Sequence, residues 1–149
     1  MPRPKTCAAV LALLLATSCS TPVSLRVTRD SQGQVSFQLV EVRTGAPIVD
    51  VDVFDLVVRD EQAGDEGRVI WQLSGRARLG AVRYGIPPAG MSEKRAAEAL
   101  IVGRRYALFA SGSRGMAAAS ASTTFVLAPD GGVEQEPWRP ADGRDASGP

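Results

Sequence analysis

The chain has 149 residues, a formal charge of +1, 15 glycines, 10 prolines, two cysteines and no histidine. That length corresponds to one domain of about 100–200 residues with short extensions. The missing histidine excludes Ser–His–Asp and Cys–His catalysis and any histidine metal site, and it leaves acid–base work at neutral pH to a strongly perturbed carboxylate, lysine or tyrosine. Neither an enzymatic activity nor a cofactor is expected.

Met1 to Thr6 carry Arg3 and Lys5, and Cys7 to Ala16 is an uncharged apolar run that ends in the small residues Thr17-Ser18-Cys19-Ser20. A basic start, a short apolar middle and a small-residue end predict a signal peptide over 1–18. The run is too short for a spanning helix, which needs roughly 20 apolar residues. Leu15-Ala16-Thr17-Ser18-Cys19 resembles a bacterial lipobox, with Ala16 where leucine is commoner. The resemblance implies cleavage before Cys19, lipidation of Cys19, and a linker over 19–22 that holds the domain close to a bilayer. Ala16-Thr17-Ser18 also fits an ordinary A-x-A-like signal peptidase site, which cuts the same bond and leaves Cys19 free. Ser20, where some signals carry aspartate, resembles signals that send lipoproteins to the outer membrane. The implied location is the bacterial cell envelope, facing the periplasm, with the membrane as partner through the lipid and an unidentified envelope protein as a second partner.

Cleavage there removes Arg3 and Lys5 and turns the net charge from +1 to −1. Near-neutral charge provides no basic footprint for nucleic acid. Cys7 leaves with the signal, so the mature chain forms no internal disulfide and relies on its apolar core.

From Val23 onward the pattern is that of strands. Val23 to Thr28 alternates apolar and polar residues, Asp30-Ser31-Gln32-Gly33 supplies a turn, and Val35 to Val42 resumes the alternation with a slip near Val40, which together predict a hairpin. Gly45-Ala46-Pro47 breaks the chain before Ile48 to Val58, a valine-dense run whose apolar face changes after Val53, as a β-bulge or a crossing between sheets requires. A charged loop over Asp60 to Arg68 leads into the strand Val69 to Leu73 and a second strand over Arg76 to Tyr84. Gly85 to Gly90, with Pro87-Pro88, is a loop, because neither proline donates to a ladder. Ser92 to Ala99 has helix formers behind a Ser92 cap and predicts at most two helical turns. Arg105 to Ala110 and Ser120 to Leu127 are the last strands, and Glu134 to Pro149, rich in proline, glycine and charge, is predicted to be a disordered tail.

About seven short strands separated by turns, almost without helix, argue for a single antiparallel β-sandwich domain over 23–133, with a small barrel as the competing arrangement. Leu100-Ile101-Val102-Gly103-Arg104-Arg105-Tyr106 resembles the tyrosine corner of fibronectin type III and immunoglobulin-like domains, with Val102 where proline is common. The resemblance implies that the Tyr106 hydroxyl caps a nearby backbone group, that Leu100 and the Tyr106 ring pack in the core, and that Trp71 is the matching core tryptophan. The order of Trp71-Gln72-Leu73, Tyr84 to Gly90, Leu100 to Tyr106 and Phe125 to Gly131 is similar to that of small bacterial lipoproteins, which implies location and architecture more than activity.

The densest carboxylates, Asp50, Asp52 and Asp55, lie in a strand whose alternation turns Asp55 away from the other two, so they read as a charged sheet edge and no metal is predicted. The acidic stretch Asp60 to Gly67 reads as a solvated connection. Gly112-Ser113-Arg114-Gly115 lacks the lysine and the helix of a phosphate loop and reads as a hairpin turn. The best candidate binding loop is Tyr84, Ile86, Pro87 and Pro88, an aromatic beside a stiff turn at one end of the sandwich. Trp138, between Pro137 and Pro140, is a candidate linear motif. The reading is a non-catalytic structural or protein-binding module, with carriage of a small apolar ligand in an enclosed cavity as the alternative.

Overall fold

The computed structural model describes residues 23–136. The predicted signal, Cys19, the linker over 19–22 and Trp138 lie outside the described residues. Among the described residues nine strands follow one another: β1 (Val23–Arg29), β2 (Val35–Glu41), β3 (Asp52–Asp60), β4 (Arg68–Arg78), β5 (Ala81–Arg83), β6 (Met91–Arg95), β7 (Arg105–Arg114), β8 (Ala117–Leu127) and β9 (Val133–Gln135). They form a three-stranded sheet in the order β1-β2-β5 and a six-stranded sheet in the order β6-β4-β3-β7-β8-β9. Every pairing between these strands is antiparallel. The two sheets pack as an all-β sandwich, as the alternation predicts.

Period-2 alternation puts one face of each strand into a common core. Leu25 and Val27 of β1 and Phe37 and Leu39 of β2 face Val53, Leu56 and Val58 of β3, Trp71 and Leu73 of β4, and Tyr106 and Phe125 of β7 and β8. Burying a side chain of this size is worth roughly 1.5–3 kcal/mol. Phe37 is the hub of the aromatic part of the core, with ring centroids 6.3 Å from Trp71, 6.2 Å from Tyr84 and 5.8 Å from Phe125.

The predicted change of face in the valine-rich run is a β-bulge. The register of β3 shifts between Val53 and Asp55 against both of its neighbours. The bulge returns Leu56 and Val58 to the core face that Val51 and Val53 already occupy, and it leaves Phe54 half-buried beneath the Arg76 guanidinium, 6.0 Å from the ring centroid. Gly112 of β7 lies against the bulge, where a Cβ would stand 2.0 Å from the Asp52 carbonyl oxygen. Only glycine permits that approach.

Four expectations are corrected. The strand count rises from about seven to nine, because β6 and β9 extend the larger sheet at its two ends. Arg76 to Arg78 continues the Val69 to Leu73 run as one strand, β4, and the predicted run Arg76 to Tyr84 divides at Leu79-Gly80, where the chain crosses to β5 of the smaller sheet. Gly75 stays in the ladder opposite Met91. Ser92 to Ala99 is not helical: Met91–Arg95 pairs with β4, and the chain then runs without regular structure to Arg104. Two turns without an apolar stripe do not offset the cost of helix nucleation, whereas the free edge of β4 offers partners to the backbone groups of β6 that face it. Finally, β9 carries the folded part through Gln135, into the stretch predicted as tail, because Glu134 and Gln135 complete a ladder with Val126 and Phe125.

Candidate functional site

Tyr84 follows β5 and extends the pairing of the small sheet, its N–H donating to the Val35 carbonyl over 2.9 Å. Its ring packs edge-on against Trp71, centroid to centroid 5.0 Å, and its hydroxyl donates to the Glu98 carbonyl at 2.7 Å. Burial pushes the phenol pKa well above the ordinary 10.0, with the charges of Tyr106 and Glu98 adding to the shift. Tyr84 is therefore a neutral anchor. The loop after it turns on two hydrogen bonds, from the Ile86 N–H to the Arg83 carbonyl and from the Met91 N–H to the Pro88 carbonyl, each 3.1 Å. Ile86 and Pro87 are exposed and Pro88 is half-buried. Of the four predicted loop residues, Ile86 and Pro87 stand at the surface, and Tyr84 holds the loop to the core. An open groove of about 360 Å³ adjoins Tyr84, lined also by Arg29, Gln34, Ala99 and Leu100.

The irregular stretch 96–104 lies beside this loop, and four sets of contacts hold it. The Glu98 carboxylate accepts from both terminal nitrogens of Arg68, each at 2.7 Å, and from Arg95 at 3.1 Å. Those contacts, the Arg95 bond foremost, hold its pKa below the ordinary 4.5. The Ile101 N–H donates to the Tyr106 hydroxyl over 2.7 Å, and that hydroxyl is 3.5 Å from the Ile101 carbonyl oxygen. The Gly103 N–H donates to the Leu127 carbonyl at 2.8 Å. Arg104 pairs at 3.0 Å with Asp60, a carboxylate buried at the end of β3 that also accepts the Gln62 N–H. Leu100 packs partly buried against the core, while Ile101 and Val102 stand exposed. Trp71, Leu100 and Tyr106 thus all meet the core. Trp71 is completely buried, and its indole N–H donates to the Glu93 carboxylate on β6 at 2.8 Å.

The acidic residues Asp50 and Asp52 do not gather. Asp52 binds Arg76 at 2.7 Å and Arg78 at 3.4 Å, and Asp50 binds Arg114 at 2.7 Å. Their arginines hold both carboxyls below the ordinary 3.8, so each is a charged, paired group at neutral pH. Among the described residues no group of three or more Cys, Asp or Glu comes together around a metal-sized space. Between the sheets the space lined by Val23, Leu39, Val51, Val53, Ala110 and Ala121 amounts to about 10 Å³, whereas a site for a small ligand needs about 300 Å³ or more.

Two residues that tie distant parts of the fold together were not legible from local pattern. Glu98 sits in a stretch that reads as helix, and only its distance of 30 positions from Arg68 in sequence, closed by folding, makes it a tie. Gln135 sits in a stretch that reads as tail. Its side-chain oxygen accepts the Val27 N–H at 3.0 Å, and its side-chain nitrogen donates to the Leu25 carbonyl and to the Thr123 hydroxyl. One amide thereby joins the edge of the small sheet to the edge of the large one. No protein-family model matches the chain, and no curated protein and no solved structure matches it.

Proposed function

We propose that the chain is an exported bacterial envelope lipoprotein, anchored through Cys19, whose fibronectin type III/immunoglobulin-like sandwich presents the Tyr84–Gly90 loop to another envelope protein without doing chemistry. The single observation that carries the binding part is the combination at Tyr84: a neutral, core-packed anchor followed at once by the exposed pair Ile86 and Pro87. A rigid scaffold that holds out a stiff apolar loop limits the ordering cost of association. The finer fold reading is supported by the Ile101–Tyr106 hydrogen bond at the entry to β7, and by β7 lying between β3 and β8 as strand F lies between C and G in the immunoglobulin fold. The non-catalytic part is supported by the lack of histidine and by carboxyls that arginines hold ionised, unsuited to general acid work. The anchor is supported by the order of charge, apolar run and small residues in the first nineteen positions. Several acyl chains, as bacterial lipoproteins carry, hold a domain firmly where one chain is marginal.

Two experiments test this. Labelled palmitate marks the wild-type chain in bacterial cells and not Cys19→Ser; equal labelling ends the anchor claim. A photo-crosslinking amino acid at position 86 captures one reproducible envelope protein, while the same group at Arg59, on the far face of β3, does not. Identical capture at both positions sinks the loop as the binding surface.

A further inference from the structure

Both ends of the sandwich expose apolar side chains, and only one of them is the end at which β1 begins. Val23 pairs with Glu41 at the close of β2 and lies beside Ala119 and Ser120, close to the start of β8. At the same end β4 closes, with Arg78 opposite Asp52, and the turn Gly115-Met116 joins Arg114 to Ala117. Val42, Val49 and Met116 stand exposed there, Met116 completely so, at the tip of a two-residue hairpin whose Gly115 has a φ of +60°. Val49 lies beside Gly80 on the connection between the sheets, and its neighbour Asp50 is bonded to Arg114 next to the hairpin tip.

Charge separates this end from the other. Arg43 is exposed next to Val42. Arg78 and Arg114 reach Asp52 and Asp50 through Nε, which leaves their terminal nitrogens for another acceptor, and guanidinium groups suit phosphate oxygens by their charge and forked geometry. At the opposite end Ile101 and Val102 are exposed as well. There, however, the connections 30–34, 61–67 and 128–132 carry Asp30, Glu61, Asp65, Glu66 and Asp130 and no base. Gly103 is bonded to Leu127 and Arg104 to Asp60, so Ile101 and Val102 stand between the second and third of these acidic connections. An anionic surface attracts the first set of side chains and repels the second.

We propose, resting on the reading of Cys19 as a lipid anchor, that the end where β1 begins seats on the bilayer: Met116, Val49 and Val42 enter the boundary between headgroups and acyl chains, and Arg43, Arg78 and Arg114 bind the phosphates of anionic lipids. Residues 19–22 span at most about 14 Å, so the anchor holds this end beside the membrane. The opposite end stands roughly 35 Å further out, the length of a strand such as β8 with its 11 residues. Three side chains form too small a patch to hold a free protein to a membrane, but the tether makes the contact intramolecular, where a weak patch suffices. The tether also selects the occupant, because lipid is the surface that it brings to this end at high local concentration. Tyr84 pairs with Val35 at the opposite end, so seating leaves the start of the partner loop clear of lipid.

Fluorescence quenching by lipid tests the proposal. The full chain is processed in bacterial cells and reconstituted into vesicles of phosphatidylethanolamine and phosphatidylglycerol. It carries one dye, on Met116→Cys, on Val49→Cys, or on Ser31→Cys, an exposed position at the opposite end. Lipids with a nitroxide near the top of the acyl chain are expected to quench the dye strongly at 116 and 49 and weakly at 31. Arg43→Glu with Met116→Glu changes two exposed side chains and leaves the core intact. It is expected to lower the quenching at 49 to the level at 31, while the chain still floats with the vesicles through its lipid. Equal quenching at 116 and 31, or quenching at 49 that survives the double substitution, overturns the seating and leaves the anchor standing, because flotation of the double variant reports the anchor by itself. A chain that does not float with the vesicles overturns both.

Discussion

Tyr84 and Tyr106 reach the same stretch of chain, Glu98 to Arg104, from opposite sheets. Tyr106 is 1 % exposed and its hydroxyl accepts a backbone N–H, so the oxygen fills the role that a carbonyl would fill in a ladder. Tyr84 is partly exposed and its hydroxyl donates to a carbonyl that retains a second lone pair. Water reaches a partly exposed hydroxyl more readily than one on a ring that is 1 % exposed, so the Tyr84 bond is the easier of the two to replace. The segment is thus fixed firmly where it enters β7 and more adjustably beside the exposed loop, which is the better place for a surface that meets a partner.

The contrast is most open to breaking at the rings. Tyr106→Ala is expected to cost about 3–5 kcal/mol, the range for removing a buried aromatic, and Tyr84→Ala distinctly less in the same urea unfolding series; equal losses would erase the distinction. Removing only the hydroxyls sharpens it. Tyr106→Phe leaves the Ile101 N–H without an acceptor and is expected to cost about 1–3 kcal/mol, against roughly 0.5–1 kcal/mol for Tyr84→Phe. Between these lies Gln135→Ala, which frees the Val27 N–H and the Leu25 carbonyl at an edge that water reaches, at about 1 kcal/mol. Hydrogen exchange of the Val27 amide, faster in that variant while Phe37 stays protected, locates the loss at the edge.

The smallest effect concerns pH. Arg95 and Arg68 lower the Glu98 pKa from 4.5 in the folded chain. The unfolded chain therefore takes up the proton first as pH falls, and the stabilisation present above pH 4.5 is lost as pH drops through the folded value. Thermal melts from pH 6 downward are expected to fall less steeply in Glu98→Gln than in the wild type. The side chains are exposed enough for salt to weaken the tie, so 1 M salt should narrow the gap. A Glu98→Gln chain with the wild-type slope would assign the segment to Tyr84 and Tyr106 alone.

The strands of the core were readable because alternation, β-branched residues and turn residues act over a few positions. Val23 to Thr28 and Val35 to Val42 show this, and so does the change of face at Val53, which announced the bulge. Tyr106 was readable for the same reason, since Ile101 is five residues away. Ser92 to Ala99 misled because its helix formers express a weak local preference that a vacant sheet edge overrides. Of the loop residues, Ile86, Pro87 and Pro88 were legible as punctuation, whereas Glu98 had no local mark.

Local composition is enough for an all-β chain with a basic, apolar, small-residue start, because those signals are complete within a handful of adjacent residues. Which strands lie at the edges, which edge Gln135 seals, and that Glu98 meets Arg68, depend on contacts between residues 30 to 110 positions apart. Such contacts exist only after the sheets have closed on each other, since their entropy cost is met by burial of the whole core and not by any preference of the residues that make them.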